Sequence, residues 1–157
     1  MTKIITKSQI PALVARLHKG RQRIVFTNGV FDILHAGHVD YLTRARKLGD
    51  LLIVGLNTDA SVKINKGDLR PLIPFKYRAK VLAALTVVDY IVPLGRKTPD
   101  KLIPLINPRV LVKGADYKIS EIVGADYVLA HGGKVVRMKL VKGLSTSEII
   151  RRIKRTY

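Results

Sequence analysis

Blocks of apolar and polar residues alternate along this chain, and their periods predict helices and strands in alternation. In residues 8–19 the apolar residues recur every three or four positions, as in a helix, and Gly20 ends the pattern. Residues 51–56 instead form one continuous apolar run, as expected of a buried strand in a parallel sheet. By the same criteria, strands are predicted at residues 23–27, 51–56, 90–92, 110–112 and 135–141. Helices are predicted at residues 8–19, 36–48, 75–85, 99–106 and 147–154, with residues 119–131 helical in part and interrupted near Gly124.

This order of elements predicts an α/β protein: a doubly wound, five-stranded parallel sheet with right-handed crossovers and helices on both faces. The 157 residues fit a single domain, with an N-terminal helix in residues 1–20 and a core in residues 21–157. Residues 57–74 are polar and are predicted to be a loop. Thr98 is predicted to cap the helix at 99–106, and Ser145 or Thr146 to cap the closing helix. Ligands of such sheets bind beyond the carboxyl ends of the strands.

Composition narrows the class of protein. The chain has no cysteine, so it can have neither disulfides nor thiol catalysis. No apolar run approaches the roughly 20 residues of a membrane-spanning helix, so we expect a cytoplasmic protein without a membrane partner. Lysine and arginine total 29 against 11 acidic residues, giving a formal charge of +18 that favours anionic partners. The densest basic cluster, residues 151–155, is interpreted first as a helix end and second as a nucleic-acid patch.

The most informative segment is the turn between the first strand and the helix that follows it. It contains His35 and His38, three residues apart and separated by Gly37, at the opening of a helix. Free N–H groups and the positive end of the helix dipole favour an anion there, and both imidazoles can face one ligand. A structural zinc site is the weaker interpretation, because no cysteine or nearby histidine or carboxylate completes the ligand set. His18 and His131 are predicted to be surface residues.

The sequence Gly-Val-Phe-Asp at 29–32, followed by His-x-Gly-His, resembles the nucleotidylyltransferase superfamily with the cytidylyltransferase-like Rossmann fold. Further matches lie at residues 47–50, 57–59, 66–67, 70–71, 78, 88–89, 98–99, 111–117 and 143–147. They are most similar to the adenylyltransferase domain that makes ADP-heptose from heptose 1-phosphate and ATP, which bacteria also carry fused to a sugar kinase. The resemblance implies in-line attack of an acceptor phosphate on the α-phosphorus of ATP. That phosphate is already an anion at neutral pH, so no general base is needed.

The resemblance also assigns expected roles to residues of this chain. The residues expected to act in catalysis are His35, His38 and Lys66, the last on a mobile loop. Those expected to contact the nucleotide are Thr27, Asn28, Gly29, Val30, Phe31, Gly37, Lys113, Gly114, Asp116, Ser145, Thr146 and Ser147. Those expected at the acceptor are Asp32, Arg70 and Arg78. Mg²⁺ is expected to bridge the triphosphate and to need few protein ligands, so no metal-ligand set is predicted.

The residues leave base and acceptor open. Alternatives within the same chemistry are CTP with glycerol 3-phosphate, or ATP with flavin mononucleotide. A basic nucleic-acid-binding module is the alternative outside enzymes, and a steep loss of affinity with salt would distinguish it. A homodimer is expected, because the superfamily commonly dimerises.

Overall fold

The computed structural model describes residues 2–139, 141 and 143–156. Its strands are β1 Ile24–Gly29, β2 Leu51–Asn57, β3 Tyr90–Leu94, β4 Val110–Gly114 and β5 Lys134–Met138. Its helices are α1 Ile10–Lys19, α2 Ala36–Arg46, α3 Asp59–Lys66, α4 Phe75–Ala84, α5 Leu102–Ile106, α6 Ala125–Ala130 and α7 Thr146–Thr156. Short 3₁₀ turns occupy Lys7–Gln9 and Ile119–Glu121. None of the described helices has the length and apolar composition needed to cross a membrane.

The five strands form one parallel sheet in the order β3-β2-β1-β4-β5. The chain runs from β1 outward to β3 and then returns to place β4 beside β1. The carboxyl ends of β1 and β4 therefore border the crevice where open α/β sheets bind their ligands. The predicted doubly wound parallel sheet is confirmed.

Side chains alternate between the two faces of the sheet, and each face carries its own apolar cluster. On one face Phe26 and Leu111 pack with helices α1, α5 and α6. On the other face Val25 and Val112 pack with α2 and α4. This alternation decides on which side of the crevice each polar residue at a strand end lies.

The prediction that residues 57–74 form a loop is wrong, because Asp59–Lys66 is helix α3. Thr58 caps this helix by accepting a hydrogen bond from the Ser61 backbone N–H. Ser61 is buried, and its hydroxyl reaches the Leu94 carbonyl at 3.0 Å. The helix therefore packs on the protein through one buried polar residue, Ser61, and one buried apolar residue, Val62. With a single buried apolar residue, the sequence shows no helical repeat of apolar positions that could predict this helix.

The structure also bears on three predicted element ends, two of which differ from the prediction. Helix α5 begins at Leu102 and not at residue 99 as predicted. The Thr98 hydroxyl does not cap this helix; it donates to the Asp100 carboxylate at 2.9 Å. The last strand ends at Met138; Leu140, which the predicted strand included, lies outside the described residues. The cap predicted for the closing helix is present, because Ser145 Oγ accepts the Glu148 N–H at 3.1 Å.

Candidate active site

Helices α2 and α7 both begin at the crevice, and the first turn of α2 lies close to Leu144, two residues before α7. His35 is the N-cap of α2, and the first N–H groups of that helix have no intrahelical acceptor. A methyl group added at Gly37 would come within 3.1 Å of the His35 ring and 3.3 Å of Leu144 Cβ, just before α7. Glycine at position 37 therefore keeps open the space between two helix N-termini, where an anion is favoured.

The two histidines form a stacked pair at the start of α2. Their ring centroids are 3.8 Å apart at 25°, and the Phe31 ring meets the edge of His38 at 5.1 Å. The Nδ1 atoms of His35 and His38 are both buried without a hydrogen-bond partner. Burial of polar atoms without partners is costly, so this pair is prepared for a ligand that the protein itself does not supply.

Burial keeps both imidazoles neutral. Desolvation, with a smaller contribution from neighbouring His35, lowers the pKa of His38 to about 4. Desolvation also lowers the pKa of His35 below its ordinary value. Each neutral ring carries one N–H donor. A bound phosphate would raise both pKa values, since a nearby negative charge favours the protonated form.

The turn before the histidines is held in an unusual conformation. Phe31 has φ 48°, in the left-handed region that few residues other than glycine adopt. A Cβ at Gly29 would lie 2.9 Å from the Phe31 ring, so only glycine lets this ring fold back against β1. The turn thus places the Phe31 ring against His38.

The Thr27 side chain links the elements that carry the site. Its hydroxyl donates to the Val112 carbonyl at 3.0 Å, so the Tyr41 hydroxyl, 2.8 Å away, must donate to Thr27. Burial raises the pKa of Tyr41 to about 12. Thr27, predicted at the nucleotide, therefore uses its side chain to join β1, β4 and α2. The sequence analysis missed Tyr41, whose apolar spacing on α2 marks it only as a core residue.

A second group of polar atoms lies across the sheet from the histidines. Asn28 and Lys113 end neighbouring strands, two residues beyond the paired Phe26 and Leu111, and so share the face of α1 and α5. The Asn28 Oδ1 atom is buried without a partner. Burial lowers the pKa of Lys113 to about 8, and Asp116 partly opposes the shift. Residues predicted at the nucleotide thus lie on both faces of the sheet at one edge.

Asp32 is fully engaged inside the protein. Its carboxylate accepts the backbone N–H groups of Leu72 and Ile73, at 2.9 and 2.8 Å, and Arg70 Nε at 2.7 Å. Burial alone would raise the pKa of Asp32, but these hydrogen bonds lower it below its ordinary value. Asp32 and Arg70, both predicted at the acceptor, are thus occupied with each other and with the segment that leads into α4.

Arg78 is equally occupied. Its guanidinium, with no exposed surface, donates to the carbonyls of Ile73 and Val30, at 2.8 and 2.6 Å, and to Asp59 at 2.7 Å. Asp59 in turn accepts the Phe75 N–H at the start of α4. Arg78 therefore joins Val30, Ile73 and Asp59 and does not present a free cation. We refer to Asp32, Asp59, Arg70 and Arg78 together as the carboxylate–arginine clamp. Asp59 carried no predicted role.

The remaining predicted residues are less constrained. Lys66 is exposed at the last position of α3 and is followed by Gly67 at φ 90°. Ser145 is engaged as the cap of α7, while Ser147 is exposed beside it. His18 and His131 lie outside the crevice, His18 against the Ile106 carbonyl and His131 stacked on Tyr127. In the described part of the chain, no group of three histidine or acidic residues is arranged to hold a metal.

The comparisons with known proteins agree with this geometry. The cytidylyltransferase-like family model matches residues 26–152. The bifunctional protein HldE of Citrifermentans bemidjiense is 52% identical over 92% of this chain and 30% of its own length. The HldE of Escherichia coli O1:K1 is 50% identical over 96% of this chain and 31% of its own length. The chain therefore spans about a third of the length of these relatives.

Two solved structures share the fold. One is a lipopolysaccharide core biosynthesis protein from Thermoplasma volcanium, with TM-score 0.66 and 31% identity over 77% of this chain and 99% of its own. The other, a pantoate-beta-alanine ligase from Francisella tularensis, has TM-score 0.64 but only 17% identity, over 98% of this chain and 77% of its own, and shows the fold alone. Together, the family match and the HldE relatives make this chain a nucleotidyltransferase. More specifically, it belongs to the cytidylyltransferase-like family, which confirms the resemblance stated from its motifs.

Proposed function

We propose that this chain transfers AMP from ATP to a sugar 1-phosphate, specifically a heptose 1-phosphate, releasing pyrophosphate. The observation that carries the transfer chemistry is the stacked histidine pair, whose buried Nδ1 atoms lack partners where two helix N-termini meet. A sugar acceptor is supported by the relative from Thermoplasma volcanium, because that relative is a lipopolysaccharide core biosynthesis protein. The HldE relatives and the matching motifs support the same subgroup.

The reaction exchanges one phosphorus–oxygen bond for another. An oxygen of the acceptor phosphate forms a bond to the α-phosphorus of ATP. The bond from that phosphorus to the bridging oxygen of the β-phosphate breaks, and pyrophosphate leaves with the electron pair. No proton has to be removed from the nucleophile, since a phosphate monoester is mostly dianionic above its second pKa of about 6. The protein therefore needs to position the phosphates and stabilise negative charge.

His35 and His38 would donate hydrogen bonds to phosphate oxygens at the transferring centre. Because both rings are neutral and stacked, they bring donors without adding two buried charges that would repel each other. The first N–H groups of α2, and Ser145 to Ser147 at the start of α7, would hold the other phosphates. Lys66 would approach from the exposed end of α3 as a mobile cation.

Asn28 and Lys113 would contact the nucleotide across the edge of the sheet from the histidines. A buried acceptor oxygen and a half-buried ammonium at the ends of neighbouring strands complement a hydroxyl group, which both donates and accepts. Mg²⁺ would neutralise charge on the triphosphate. Asp116 would help to hold Mg²⁺, because its carboxylate is exposed near Lys113 and forms no ion pair among the described residues. Asp32 is a poorer candidate, because its carboxylate already accepts three hydrogen bonds within the protein.

A pyrophosphate-release screen tests the proposal. ATP and CTP are each paired with heptose 1-phosphate, glycerol 3-phosphate and flavin mononucleotide, with Mg²⁺ present. We expect the highest kcat/KM for ATP with heptose 1-phosphate. A higher value for glycerol 3-phosphate or flavin mononucleotide would refute the sugar acceptor while leaving nucleotidyl transfer intact. Absence of pyrophosphate release with every pair, from folded protein, would refute the function altogether.

A further inference from the structure

The opposite edge of the sheet carries a concentration of positive charge that the transfer reaction does not use. Arg23 and Arg109 immediately precede β1 and β4, and Lys134 is the first residue of β5. Because β1, β4 and β5 are adjacent and parallel, their amino ends stand side by side. Four residues of β4 separate Arg109 from Lys113, so this edge is roughly 13 Å from the active-site edge.

The backbones of these three residues are fixed by the sheet. The Arg109 N–H donates to the Ile24 carbonyl, and the Lys134 N–H donates to the Arg109 carbonyl, each at 3.0 Å. Neighbouring strands lie about 4.8 Å apart, so the three cationic side chains leave the sheet within roughly 10 Å of one another. Strand order therefore brings the three residues to one end of the sheet, where the register places Arg23 and Lys134 on one face and Arg109 on the other.

The three residues line one shallow pocket of about 190 Å³ together with Val110, Gly132 and Gly133. Gly132 has φ 71°, and a Cβ there would lie 3.4 Å from Arg109 Nη1. A Cβ at Gly133 would meet the Arg109 carbonyl at 2.9 Å. The two glycines thus let the turn before β5 close tightly around Arg109 and form a wall of the pocket.

Positive charge in this pocket is poorly compensated. Elsewhere arginines pair with carboxylates, as Arg46 does with Asp89 at 2.9 Å. Here Arg23 has Asp50 nearby: the carboxylate lies 3.9 Å from the guanidinium and accepts the Arg23 backbone N–H at 2.6 Å. Within the described part of the chain, no carboxylate pairs with Arg109 or Lys134; Arg109 Nη1 instead donates to the His131 carbonyl at 3.3 Å, which holds it beside the pocket. A concave surface lined by one sign of charge focuses its field on a counter-ion.

We propose that this pocket, lined by Arg23, Arg109 and Lys134, binds a phosphate group. Two arginines and a lysine offer thirteen N–H donors, ten of them in the planar guanidinium forks that match the oxygens of a tetrahedral oxyanion. The pocket volume suits one phosphate or pyrophosphate group. The group can come from a free anion or from a nucleic-acid backbone, since both present the same oxygens.

Protein NMR on isotope-labelled protein tests the site locally, because pyrophosphate also binds the active site as a product. Inorganic phosphate, pyrophosphate and a single-stranded oligonucleotide are titrated separately at about 0.15 M ionic strength. We expect saturable shifts of the Gly132 and Gly133 amide signals. Tightest binding by pyrophosphate identifies a free anion as the ligand, and tightest binding by the oligonucleotide identifies a nucleic-acid backbone.

Arg109→Gln and Lys134→Gln are the test variants, and Lys80→Gln, an exposed lysine on α4, is the control with the same loss of charge. Each test variant should weaken binding at Gly132 and Gly133 about tenfold, and the control should leave it unchanged. Lys134→Gln removes no contact within the described structure, so it separates loss of the anion from loss of fold. Absence of a saturable shift in the parent protein, or equal affinity in all three variants, would overturn the proposal.

Discussion

The carboxylate–arginine clamp and the histidine pair flank the same turn, and they differ in how completely their polar atoms are satisfied. In the clamp, Asp32 accepts three hydrogen bonds and Arg78 donates three, all within the protein. In the pair, both Nδ1 atoms are buried and have no partner. The two histidines and three clamp residues, all but Asp59, were predicted to touch substrate, yet only the histidine pair leaves hydrogen-bonding capacity for one.

The difference separates residues that stabilise the fold from residues that await a ligand. Polar groups that satisfy each other lower the free energy of the native state, and removing one strands its partners. Polar groups without partners raise that free energy until a ligand arrives, so replacing them should cost activity and little stability. The predictions below test this division, in order of decreasing effect.

The largest effect is expected on the rate of transfer when a histidine is removed. His35→Ala and His38→Ala should each lower kcat about a hundredfold to a thousandfold, about 2.7–4 kcal/mol, because each removes a donor to charge that develops in the transition state. The urea midpoint should not fall, since no internal hydrogen bond is lost. Initial rates at saturating ATP, together with urea unfolding of each protein, check this. Unchanged turnover would remove these histidines from the mechanism.

The second effect is on stability and concerns the clamp. Arg78→Met should lower the free energy of unfolding by about 3 kcal/mol, because it strands two carbonyls and Asp59. The value is at the lower end for buried pairs, since the Asp59 side chain is 42% exposed and water can replace part of the contact. Arg96→Met, at an exposed position, is the control and should stay within about 0.5 kcal/mol. Equal urea midpoints for the two variants would contradict the structural role of Arg78.

Much of this division could not be predicted from the sequence. The strands β2 and β4 are visible because they are apolar and continuous, and the histidine pair because its members are three residues apart. The clamp is not visible in this way. Asp32 meets Arg70, and Arg78 meets Val30, across 38 and 48 residues, and no local pattern marks an arginine as buried. Helix α3 was missed for a related reason: Ser61 is buried in the structure, but a serine in a polar stretch of sequence is typical of a loop.

The sequence could predict which residues lie near the site. It could not predict which of their polar atoms already have hydrogen-bond partners inside the protein. The motif placed Thr27, Asn28 and Asp32 near one another, but it could not tell that the hydroxyl and the carboxylate are saturated while the amide oxygen is free. That distinction depends on partners brought by β4 and by the segment after α3. The catalytic and binding roles of the site residues all stay predictions, those of the histidine pair as much as those of Lys66, Asp116 and the start of α7.

A third effect appears in the pH dependence of stability. The pKa of His38 is about 4 in the folded protein and 6.5 as an ordinary value, so below pH 6.5 the unfolded chain binds a proton that the native state does not. The free energy of unfolding should therefore fall as the pH drops from about 6.5 to about 4. The contribution of His38 is about 1–2 kcal/mol once its partial exposure is discounted.

His38→Gln isolates this contribution, because other titrating groups are common to both proteins. Urea midpoints measured between pH 4 and pH 7 should fall less steeply in the variant than in the parent. Bound nucleotide should also flatten the parent's curve, since its phosphates favour the protonated imidazole. Parallel curves for parent and variant, without ligand, would show that His38 is not desolvated.

The smallest effect concerns Ser145, which belongs to both categories: its hydroxyl caps α7, and it lies where the triphosphate is proposed to bind. Ser145→Ala removes the bond from the Glu148 N–H, worth about 1 kcal/mol to the helix. No described residue of α7 is buried, so the loss should appear as local opening and leave the global urea midpoint unchanged. Hydrogen exchange of the first α7 amides should accelerate about fivefold. Ser147→Ala, which removes an exposed hydroxyl with no cap bond, should not accelerate it. Equal acceleration in the two variants would mean that the Ser145 hydroxyl does not hold the helix end.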